Sequence, residues 1–497
     1  MSKKVVIIGS GLGGLSTAIL LAKVGFEVTV LEQSTQIGGC LQCFKRHGVK
    51  FETGMHFIGS ADEDQPLHRL MKVLEIDRKL QLSRLDPNGY DVIALNGKQY
   101  KFANGQENFI NQLCLSFPDQ YENLKNYWNI IEKVAQMSSL HSLRFHETEN
   151  IYNMEYQMRS MDDVIDSVIS NPELANVLAG NLPLYAAEKG KTPFGTHAFI
   201  MDFYNKSAFR VVGGSDMIAK ALVDTLSIYN GKVYIHKAVN RIVCNTEKAV
   251  GVECTDNSYF EADFIISSTH PIRTLEMLKN VPLIRPAYRQ RLINGPQTIG
   301  GFAVYLNFKP NTVKYMNHNF YSYNQCTPWN CENYTAKTWP KGYLYMHFCH
   351  KTSPQYAQAG VVLSYMHIQD VEKWKGTKVG HRGEDYEQFK LSHAERLIAN
   401  LEKDFPGITS NIQYFYTSTP LTYLDYTGTE NGSMYGIAKD VNTGSGGRVS
   451  HRTKIPNLLL TGQNINSHGM LGTLVGTIVT CSELIPKNQL YSLIKNS

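Results

Sequence analysis

The sequence predicts an α/β fold, and patterns at both of its ends support this prediction. Near the amino end, the short β-branched run from Val5 to Ile8 leads through a glycine-rich turn into an apolar segment of helical length. Near the carboxyl end, the apolar run 457–461 is again followed by glycines and a helix-like segment. Buried strands that alternate with helices are typical of a parallel sheet with helices on its faces.

Length and composition indicate a globular protein of several folding units. The chain has 497 residues, and domains hold roughly 100–200 residues each. Apolar residues make up 42% and charged residues 19%, which excludes a disordered or fibrous protein. The net charge of +5 is too small for nucleic-acid binding by bulk charge. We therefore expect no nucleic-acid partner.

The cysteines and the apolar runs bear on the compartment. Nine cysteines are widely spaced, and this odd number in a long chain favours a reducing, cytoplasmic location over a disulfide scaffold. No run of about 18–20 apolar residues predicts a transmembrane helix. Glycines from Gly9 to Gly14 interrupt the amino-terminal apolar run, so we interpret it as mature protein and not as a signal peptide.

The turn after the first strand has the spacing of a nucleotide-binding loop. Gly9, Gly11 and Gly14 form G-x-G-x-x-G between a strand and a helix. The first glycine permits the tight turn, the second lets a pyrophosphate approach the backbone, and the third lets helix and strand pack closely. The free amides at the helix start attract the pyrophosphate. In this context the motif predicts a Rossmann-like, NAD(P)-binding-like unit.

The acidic residue that such a unit needs follows at the expected distance. Glu32 ends the second apolar strand, eighteen residues after Gly14, and can accept hydrogen bonds from ribose hydroxyls. Gln33 and Ser34 come next, so no cation invites a 2′-phosphate. These residues favour NAD or FAD over NADP.

Further glycines favour the longer of these two nucleotides. Gly38 and Gly39 offer a second backbone-only surface, and the segment 51–56 ends on another glycine and a histidine. Near the carboxyl end, Gly472, Gly476 and Thr480 share one helix face, which lets that helix lie against backbone. Its amino terminus would stabilise negative charge on the pyrimidine edge of a reduced flavin. The alternative is a terminal core helix with small residues for packing.

The segments 5–33, 38–59 and 457–476 together resemble a known family. It is the family of FAD-dependent oxidoreductases that comprises phytoene desaturases, carotenoid isomerases and all-trans-retinol 13,14-reductases (retinol saturases). The resemblance implies a glutathione-reductase-type, amine-oxidase-like FAD domain and a discontinuous α+β substrate domain. The expected FAD domain comprises 1–75, 205–290 and 430–497, and the expected substrate domain comprises 76–204 and 291–429.

The resemblance and the motifs together imply a set of cofactor-binding residues. They are Gly9, Ser10, Gly11, Leu12, Gly13, Gly14, Glu32, Gln33, Gly38, Gly39, Gly54, Met55, His56, Val239, Gly462, Gln463, Gly469, Gly472 and Thr473. The segment Gly432–Gly436 lacks cysteine, so we expect non-covalent FAD, with NAD(P)H as a candidate electron donor and no metal.

The chain departs from the family pattern at two places. Cys40 stands where many relatives carry arginine, and Lys45 or Arg46 is the candidate replacement for that phosphate-binding arm. Gln463 or Asn464 stands where many relatives carry aspartate against the ribityl chain.

His56 and Tyr435 are the side chains that the resemblance places nearest the flavin ring, and we take them as the catalytic candidates. His56 could donate a proton to a developing carbanion. A structural histidine is the alternative.

The implied reaction is hydride transfer between flavin and a carbon of a lipophilic polyene or isoprenoid substrate. Reduction of a double bond, as in retinol saturases, is the favoured direction. Desaturation, isomerisation, oxidation of a polar amine, and a non-catalytic flavin- or lipid-binding protein stay open. A lipophilic substrate also implies peripheral contact with a membrane, and the oligomeric state is left open.

Aromatic residues are dense in the expected substrate segments, where they could line a tunnel or belong to an ordinary sheet. They are Tyr321, Tyr323, Tyr343, Tyr345, Tyr414, Phe415, Tyr416, Tyr423, Tyr426 and Tyr435.

Two further patterns could be functional sites, a redox pair at Cys40 and Cys43 and a zinc set among residues 326–350, and we interpret both as structural. The remaining elements include a helix capped by Ser160, a helix over 384–405, and strands over 301–308 and 343–349.

Overall fold

The computed structural model describes residues 2–138, 151–279, 281–352, 354–443 and 448–495. Within these ranges the strands are β1 Lys4–Ile8, β2 Glu27–Leu31, β3 Cys43–Arg46, β4 Val49–Glu52, β5 Ile58–Gly59, β6 Leu82–Arg84, β7 Asp91–Leu95, β8 Lys98–Phe102, β9 Ala208–Val211, β10 Lys232–Tyr234, β11 Val239–Cys244, β12 Ala249–Cys254, β13 Tyr259–Glu261, β14 Phe264–Ser267, β15 Gly300–Phe308, β16 Asn319–Tyr323, β17 Gly342–His347, β18 Ala359–Met366, β19 Ile412–Ser418 and β20 Leu458–Leu460. The α-helices are α1 Leu12–Lys23, α2 Pro66–Val73, α3 Gln106–Cys114, α4 Tyr121–Met137, α5 Ile151–Met158, α6 Met161–Val168, α7 Pro172–Leu178, α8 Phe194–Lys206, α9 Asp216–Ile228, α10 Pro271–Glu276, α11 Pro286–Ile293, α12 Glu384–Asp404, α13 Pro420–Thr427, α14 Gly469–Cys481 and α15 Lys487–Lys495.

A parallel sheet with the order β10-β2-β1-β14-β20 carries the nucleotide-binding motif. β1 and β14 are interior strands, and Val5 to Ile8 of β1 and Ile265 and Ile266 of β14 are buried. The α/β prediction is confirmed by this sheet. Its strands come from stretches inside 1–75, 205–290 and 430–497, while the domain boundaries themselves stay a prediction.

Two helices from opposite ends of the chain pack together beside this sheet. α1 follows β1, and α14 follows β20. A Cβ atom on Gly13 of α1 would lie 2.8 Å from Cα of Gly462, so only glycine permits this approach. The Thr477 hydroxyl of α14 donates to the carbonyl oxygen of Gly13 at 3.4 Å. The contact brings the first and the last predicted glycine motifs together.

A second sheet has the order β19-β15-β18-β17-β16-β7-β8 and is antiparallel except between β16 and β7. One face packs on helices α4 to α8, and the other face packs on α12. The strands predicted over 301–308 and 343–349 are observed as β15 and β17. Because both faces are covered, these strands are buried along their whole length.

Two predicted helices have the expected ends. The Ser160 hydroxyl caps α6 by accepting from the amide of Asp163 at 3.4 Å. α12 begins at Glu384 and ends at Asp404, just before Pro406-Gly407. Among the described residues, none of the helices combines the length and the apolar character needed to cross a bilayer.

Candidate functional site

A cavity of about 540 Å³ lies at the carboxyl ends of the parallel strands and reaches the second sheet. This is the edge at which open α/β sheets bind their ligands. One part of its wall is rich in glycine and comes from the turns after β1, β2, β14 and β20. The other part is apolar and aromatic. Its members are Phe57, Leu184, Tyr204, Leu344, Met346, Leu363, Tyr423, Met434 and Tyr435.

Most of the cofactor-binding residues expected from the sequence line this cavity. They are Gly9, Gly11, Leu12, Gly13, Glu32, Gln33, Gly38, Gly39, Gly54, Met55, His56, Val239, Gly462, Gln463, Gly469 and Thr473. Ser10, Gly14 and Gly472 are not among the residues that line it. A Cβ atom on Gly14 would lie 2.1 Å from the Gly9 carbonyl oxygen, and one on Gly472 would lie 2.6 Å from Cβ of Ser467. These two glycines permit close packing, and their effect on a ligand is indirect.

The loop after β1 exposes its backbone to the cavity. Gly9 has φ +96°, a left-handed conformation that glycine adopts without strain. Gly11 is the N-cap of α1, and in the described chain its helix start has no side-chain cap. A Cβ atom added to Gly11 would meet no protein atom within 4 Å, so this side of the loop is open. The first amides of α1 are therefore free to bind an anion.

Glu32 is held in place at the end of β2 by two serines. One of its carboxylate oxygens accepts from the amide and the hydroxyl of Ser10, at 3.0 and 2.7 Å. The other accepts from the amide of Ser34 at 2.8 Å. The buried carboxylate keeps accepting capacity toward the cavity that it lines.

The start of α14 is a second open helix terminus on the same cavity. His468 is its N-cap without a side-chain hydrogen bond to the first turn, and Gly469 follows with φ +74°. Gly469, Met470 and Thr473 line the cavity. Two free helix starts on one cavity suit an elongated nucleotide with a pyrophosphate in its middle and an electron-accepting ring at its end. The residues present thus fit FAD.

Lys45 and Arg46 are the predicted replacements for the phosphate-binding arginine of many relatives, and neither reaches the cavity. Lys45 and Arg46 are exposed on the β3–β4 hairpin and are not among the residues that line the cavity. Lys237 and Arg273 line it instead. Lys237 pairs with Asp256, and Arg273 is held by Glu276 and Glu430. No local motif marks either residue in the sequence, although Lys237 lies two residues before the predicted Val239.

Both predicted ribityl partners lie on the cavity wall. Gln463 and Asn464 both line the cavity, and the Asn464 side-chain oxygen accepts from the amide of Ile437 at 2.9 Å. Asn464 therefore also fixes the segment that carries Tyr435, and both residues stay candidates for contact with a ligand.

Both predicted catalytic side chains line the cavity. His56 stacks on Phe348 with ring centres 5.7 Å apart, and its Nδ1 lies 3.6 Å from a carboxylate oxygen of Glu52. The Tyr435 hydroxyl donates to the Pro183 carbonyl oxygen at 3.1 Å, which anchors the ring in the wall. Burial raises the pKa of Tyr435 above its usual range, so the phenol stays neutral.

Comparisons with known proteins identify the family. The model of the flavin containing amine oxidoreductase family matches residues 12–378, most of the chain. The chain belongs to this family. It is 27% identical to all-trans-retinol 13,14-reductase of Danio rerio, over 98% of this chain and 86% of that protein. It is 24% identical to prolycopene isomerase 1 of an Oncidium hybrid cultivar, over 92% of this chain and 79% of that protein.

Among solved structures, an oxidoreductase from Methanosarcina mazei superposes with a TM-score of 0.65. The alignment covers 96% of this chain and 100% of that chain at 17% identity, and it confirms the fold. The predicted resemblance to FAD-dependent oxidoreductases is confirmed as well. The protein is a flavin-dependent oxidoreductase, and the fit of the cavity to FAD agrees with this family.

The surroundings of Cys40 and Cys43 in this flavoenzyme disfavour a redox role for the pair. Cys40 lines the cavity and Cys43 is buried behind it. Burial raises the pKa of Cys40 to about 11 and that of Cys43 to about 12. Thiolates are the reactive species, so both thiols are poor nucleophiles at neutral pH.

The central histidine of the set weighed as a zinc site, His347, has other partners in the flavoenzyme. His347 accepts from the Met316 amide at 2.9 Å through Nδ1, and its Nε2 lies 2.5 Å from the Tyr345 hydroxyl oxygen. Both ring nitrogens are thus occupied by the protein. Across the described ranges, no three histidines, cysteines or carboxylates come together as metal ligands.

Three of the ten aromatic residues singled out in the sequence reach the cavity. Tyr423, Tyr426 and Tyr435 line it, and the other seven do not. Tyr343 and Tyr345 point to the α12 side of their sheet, while Leu344 and Met346 point to the cavity side. The alternation of side chains along a strand decides this division. The apolar wall therefore combines Leu344 and Met346 of the second sheet with aromatic side chains from other segments.

Proposed function

We propose that this flavoenzyme reduces a carbon–carbon double bond in a lipophilic, polyene or isoprenoid substrate. One observation carries the proposal. The same cavity joins the nucleotide-cradling glycines to an apolar wall that includes Leu344, Met346 and Leu363. An apolar wall suits a hydrocarbon chain and keeps water away from the reacting carbons. The similarity to a protein named all-trans-retinol 13,14-reductase over 98% of the chain supports this direction.

The residues of the chain have distinct tasks in this reaction. Reduced FAD, when bound, supplies a hydride to one carbon of the double bond. Gly11 and the start of α1 hold the pyrophosphate, Glu32 holds the adenosine ribose, and the start of α14 faces the ring end. The neighbouring carbon of the substrate then needs a proton, and His56 donates it across the cavity. Tyr435 forms part of the wall against which the substrate is oriented.

A turnover assay with product mass as its readout tests the proposal. Protein loaded with FAD is reduced with dithionite without oxygen and mixed with all-trans-retinol or a carotenoid. The product should gain two hydrogens. The loss of two hydrogens would mean desaturation, and an unchanged mass with altered retention would mean isomerisation. An unchanged substrate in every case, together with oxidation of a polar amine, would overturn the proposal.

Isomerisation is the second candidate function. The similarity to prolycopene isomerase 1 over 92% of the chain favours it. The assay separates the two candidates because an isomerase leaves no net change in the flavin. If bound flavin cannot be reduced and reoxidised by any candidate pair, a non-catalytic flavin- or lipid-binding protein is the remaining interpretation.

We propose that the FAD is held without a covalent bond and that NAD(P)H is its electron donor. Precipitation with trichloroacetic acid should leave the yellow colour in the supernatant, and a yellow pellet would contradict this. Mixing the oxidised protein with NADH or NADPH should bleach the flavin absorbance. Bleaching by neither nucleotide would exclude them as direct donors.

We further propose a cytoplasmic location with peripheral membrane contact, because a lipophilic substrate resides in bilayers. All nine cysteines are free thiols, which suits a reducing compartment. Leu115 and Met158 expose 79% and 66% of their surface, and such side chains can enter a bilayer interface. The protein should float with liposomes in a density gradient. A protein that stays at the bottom of the gradient would contradict membrane contact.

A further inference from the structure

Glu52 is a buried carboxylate that the proposed reaction has not yet used. It ends β4, it is 3% exposed, and its Oε2 lies 3.6 Å from Nδ1 of His56. Both atoms are buried, and neither has a hydrogen-bond partner among the residues that the structure describes. Unsatisfied buried polar atoms are costly. A small approach of the two side chains would satisfy both atoms at once.

The surroundings of Glu52 hold only partial charge compensation. Among the described side chains, no lysine or arginine lies within 4.0 Å of its carboxylate. Burial raises its pKa, and His56, Arg210 and the backbone amide of Ser215 act in the opposite direction. The other titratable groups that face it are the thiols of Cys43 and Cys349. The imidazole of His56, at 3.6 Å, is thus the nearest group that can carry a positive charge beside it.

Arg210 fixes the backbone on which His56 sits. This arginine of β9 is 1% exposed, and its guanidinium donates to the carbonyl oxygen of His56 at 3.2 Å. The same group donates to the carbonyl oxygen of His318 at 3.1 Å and to the side chain of Asn319 at 2.9 Å. His56 therefore has a held backbone, a stacked ring face and one nitrogen that points toward a carboxylate.

We propose that Glu52 is the positioning residue of His56. Its carboxylate accepts a hydrogen bond from Nδ1–H, and this leaves Nε2 as the atom that donates a proton toward the cavity. The inference deepens the proposed function and rests on it. Hydride from the reduced flavin enters one carbon of the double bond, and the electron pair of that bond takes the Nε2 proton at the other carbon. The substrate gains two hydrogens, the flavin is oxidised, the imidazolium becomes neutral imidazole, and the Glu52 carboxylate stays ionised. Solvent then returns the proton to Nε2.

The position of the ring proton tests this without any substrate. In flavin-loaded protein labelled with ¹⁵N-histidine, the nitrogen shifts of the neutral His56 ring report which nitrogen carries the proton. His56→Gln identifies the signal among the sixteen histidines by removing it. We expect Nδ1–H in the wild type and in Glu52→Gln, which keeps an oxygen acceptor. We expect Nε2–H in Glu52→Met, which removes that acceptor.

A second couple in the same chain gives a matched control. Nε2 of His451 lies 2.8 Å from a Glu483 carboxylate oxygen, and neither residue lines the cavity. Glu483→Gln should change the His451 signals and leave those of His56 unchanged. An Nε2–H tautomer of His56 in the wild type would overturn the proposal, and this reading stands even if Glu52→Met does not fold.

Turnover supplies the second readout. In single turnovers of reduced enzyme, Glu52→Met should slow the formation of product about 100-fold, the scale on which a positioned acid acts. Glu52→Gln should fall between Glu52→Met and the wild type, because it keeps the tautomer and loses the charge. A Glu52→Met rate within about twofold of the wild type would overturn the positioning role. If no polyene is reduced, the proposed function fails, and the tautomer result still decides the coupling of Glu52 to His56.

Discussion

The amide and the hydroxyl of Ser10 both donate to the same carboxylate oxygen of Glu32, at 3.0 and 2.7 Å. Ser10 belongs to the loop after β1, and Glu32 follows the neighbouring strand β2. The bonds therefore tie the loop proposed for the pyrophosphate to the residue proposed for the ribose. A substitution that moves either residue should therefore also displace the other.

Replacing Ser10 by alanine should weaken FAD binding about threefold to tenfold. The variant loses the shorter of the two hydrogen bonds to Glu32. Part of the free energy of that hydrogen bond serves to orient the Glu32 carboxylate. Titration of the apoprotein with FAD, followed by flavin fluorescence, measures the dissociation constant. Ser392→Ala is the control, because that exposed hydroxyl bonds within its own helix, to Phe389 and His393. Equal affinities of Ser10→Ala and the wild type would contradict the proposed role of the loop.

Alanine at two glycines of the same motif should give opposite results. Gly11→Ala adds a Cβ atom that meets no protein atom within 4 Å, so the apoprotein should keep its stability within about 0.5 kcal/mol. The new methyl group projects where the pyrophosphate should lie and should weaken FAD binding at least about 10-fold. Gly14→Ala places a Cβ atom 2.1 Å from the Gly9 carbonyl and should destabilise the fold itself.

Thermal unfolding of the two apoproteins and FAD titration of Gly11→Ala distinguish these effects. A Gly11→Ala protein that binds FAD like the wild type would show that the pyrophosphate lies elsewhere.

Asp91→Asn should stabilise the protein at pH 8 more than at pH 5. Burial raises the pKa of Asp91 to about 7 from 3.8, although a hydrogen bond from Asn319 and the charge of Arg210 lower it. The native state thus keeps a proton that the unfolded chain loses near pH 4, so stability falls as pH rises from about 4 to 7. The slope is at most about 1.4 kcal/mol per pH unit for one proton.

The variant cannot titrate at this position, and its melting temperature relative to the wild type should rise with pH across that window. Asp119→Asn is the control on an exposed turn and should leave the difference near zero. If the melting temperatures of the wild type and of Asp91→Asn change in parallel with pH, Asp91 is already ionised in the native state.

The thiols of Cys40 and Cys43 should resist alkylation at pH 8. With pKa values of about 11 and 12, at most about one thiol in a thousand is ionised at that pH. Iodoacetamide followed by peptide mass spectrometry should label the exposed Cys326 first. Labelling of Cys40 at the rate of Cys326 would reopen a redox role for the pair. Cys40→Ser should leave the flavin reducible.

Local patterns predicted those parts of the fold and the candidate site that depend on neighbours in the chain. The strand–glycine–helix run of β1 and α1, the acidic end of β2, and the capped or proline-terminated helices α6 and α12 have such signals. They reflect turn geometry, strand burial and capping, which a few adjacent residues determine. The observed cavity collects most of the residues expected from these motifs because the ends of parallel strands meet at one edge.

Features that need distant segments to meet were missed. Arg210 reaches the carbonyl of His56 from a strand 154 residues away, and nothing near either residue signals the contact. Lys237 and Arg273 enter the cavity wall through the tertiary fold and not through a motif. The aromatic strands were ambiguous for a different reason. Alternate side chains face opposite covered surfaces, and composition alone does not tell which surface holds a ligand.

The place of β20 at one edge of the parallel sheet governs when this protein can first hold its cofactor. β1 begins at Lys4 and β20 ends at Leu460, and the turn after β20 supplies one wall of the cavity. At about 5–20 residues per second, a ribosome needs roughly 20 to 90 seconds to travel from one strand to the other. During that interval the nascent glycine loop has no opposing wall. Loading with flavin is thus a late event in biogenesis, and a truncated translation product should emerge colourless.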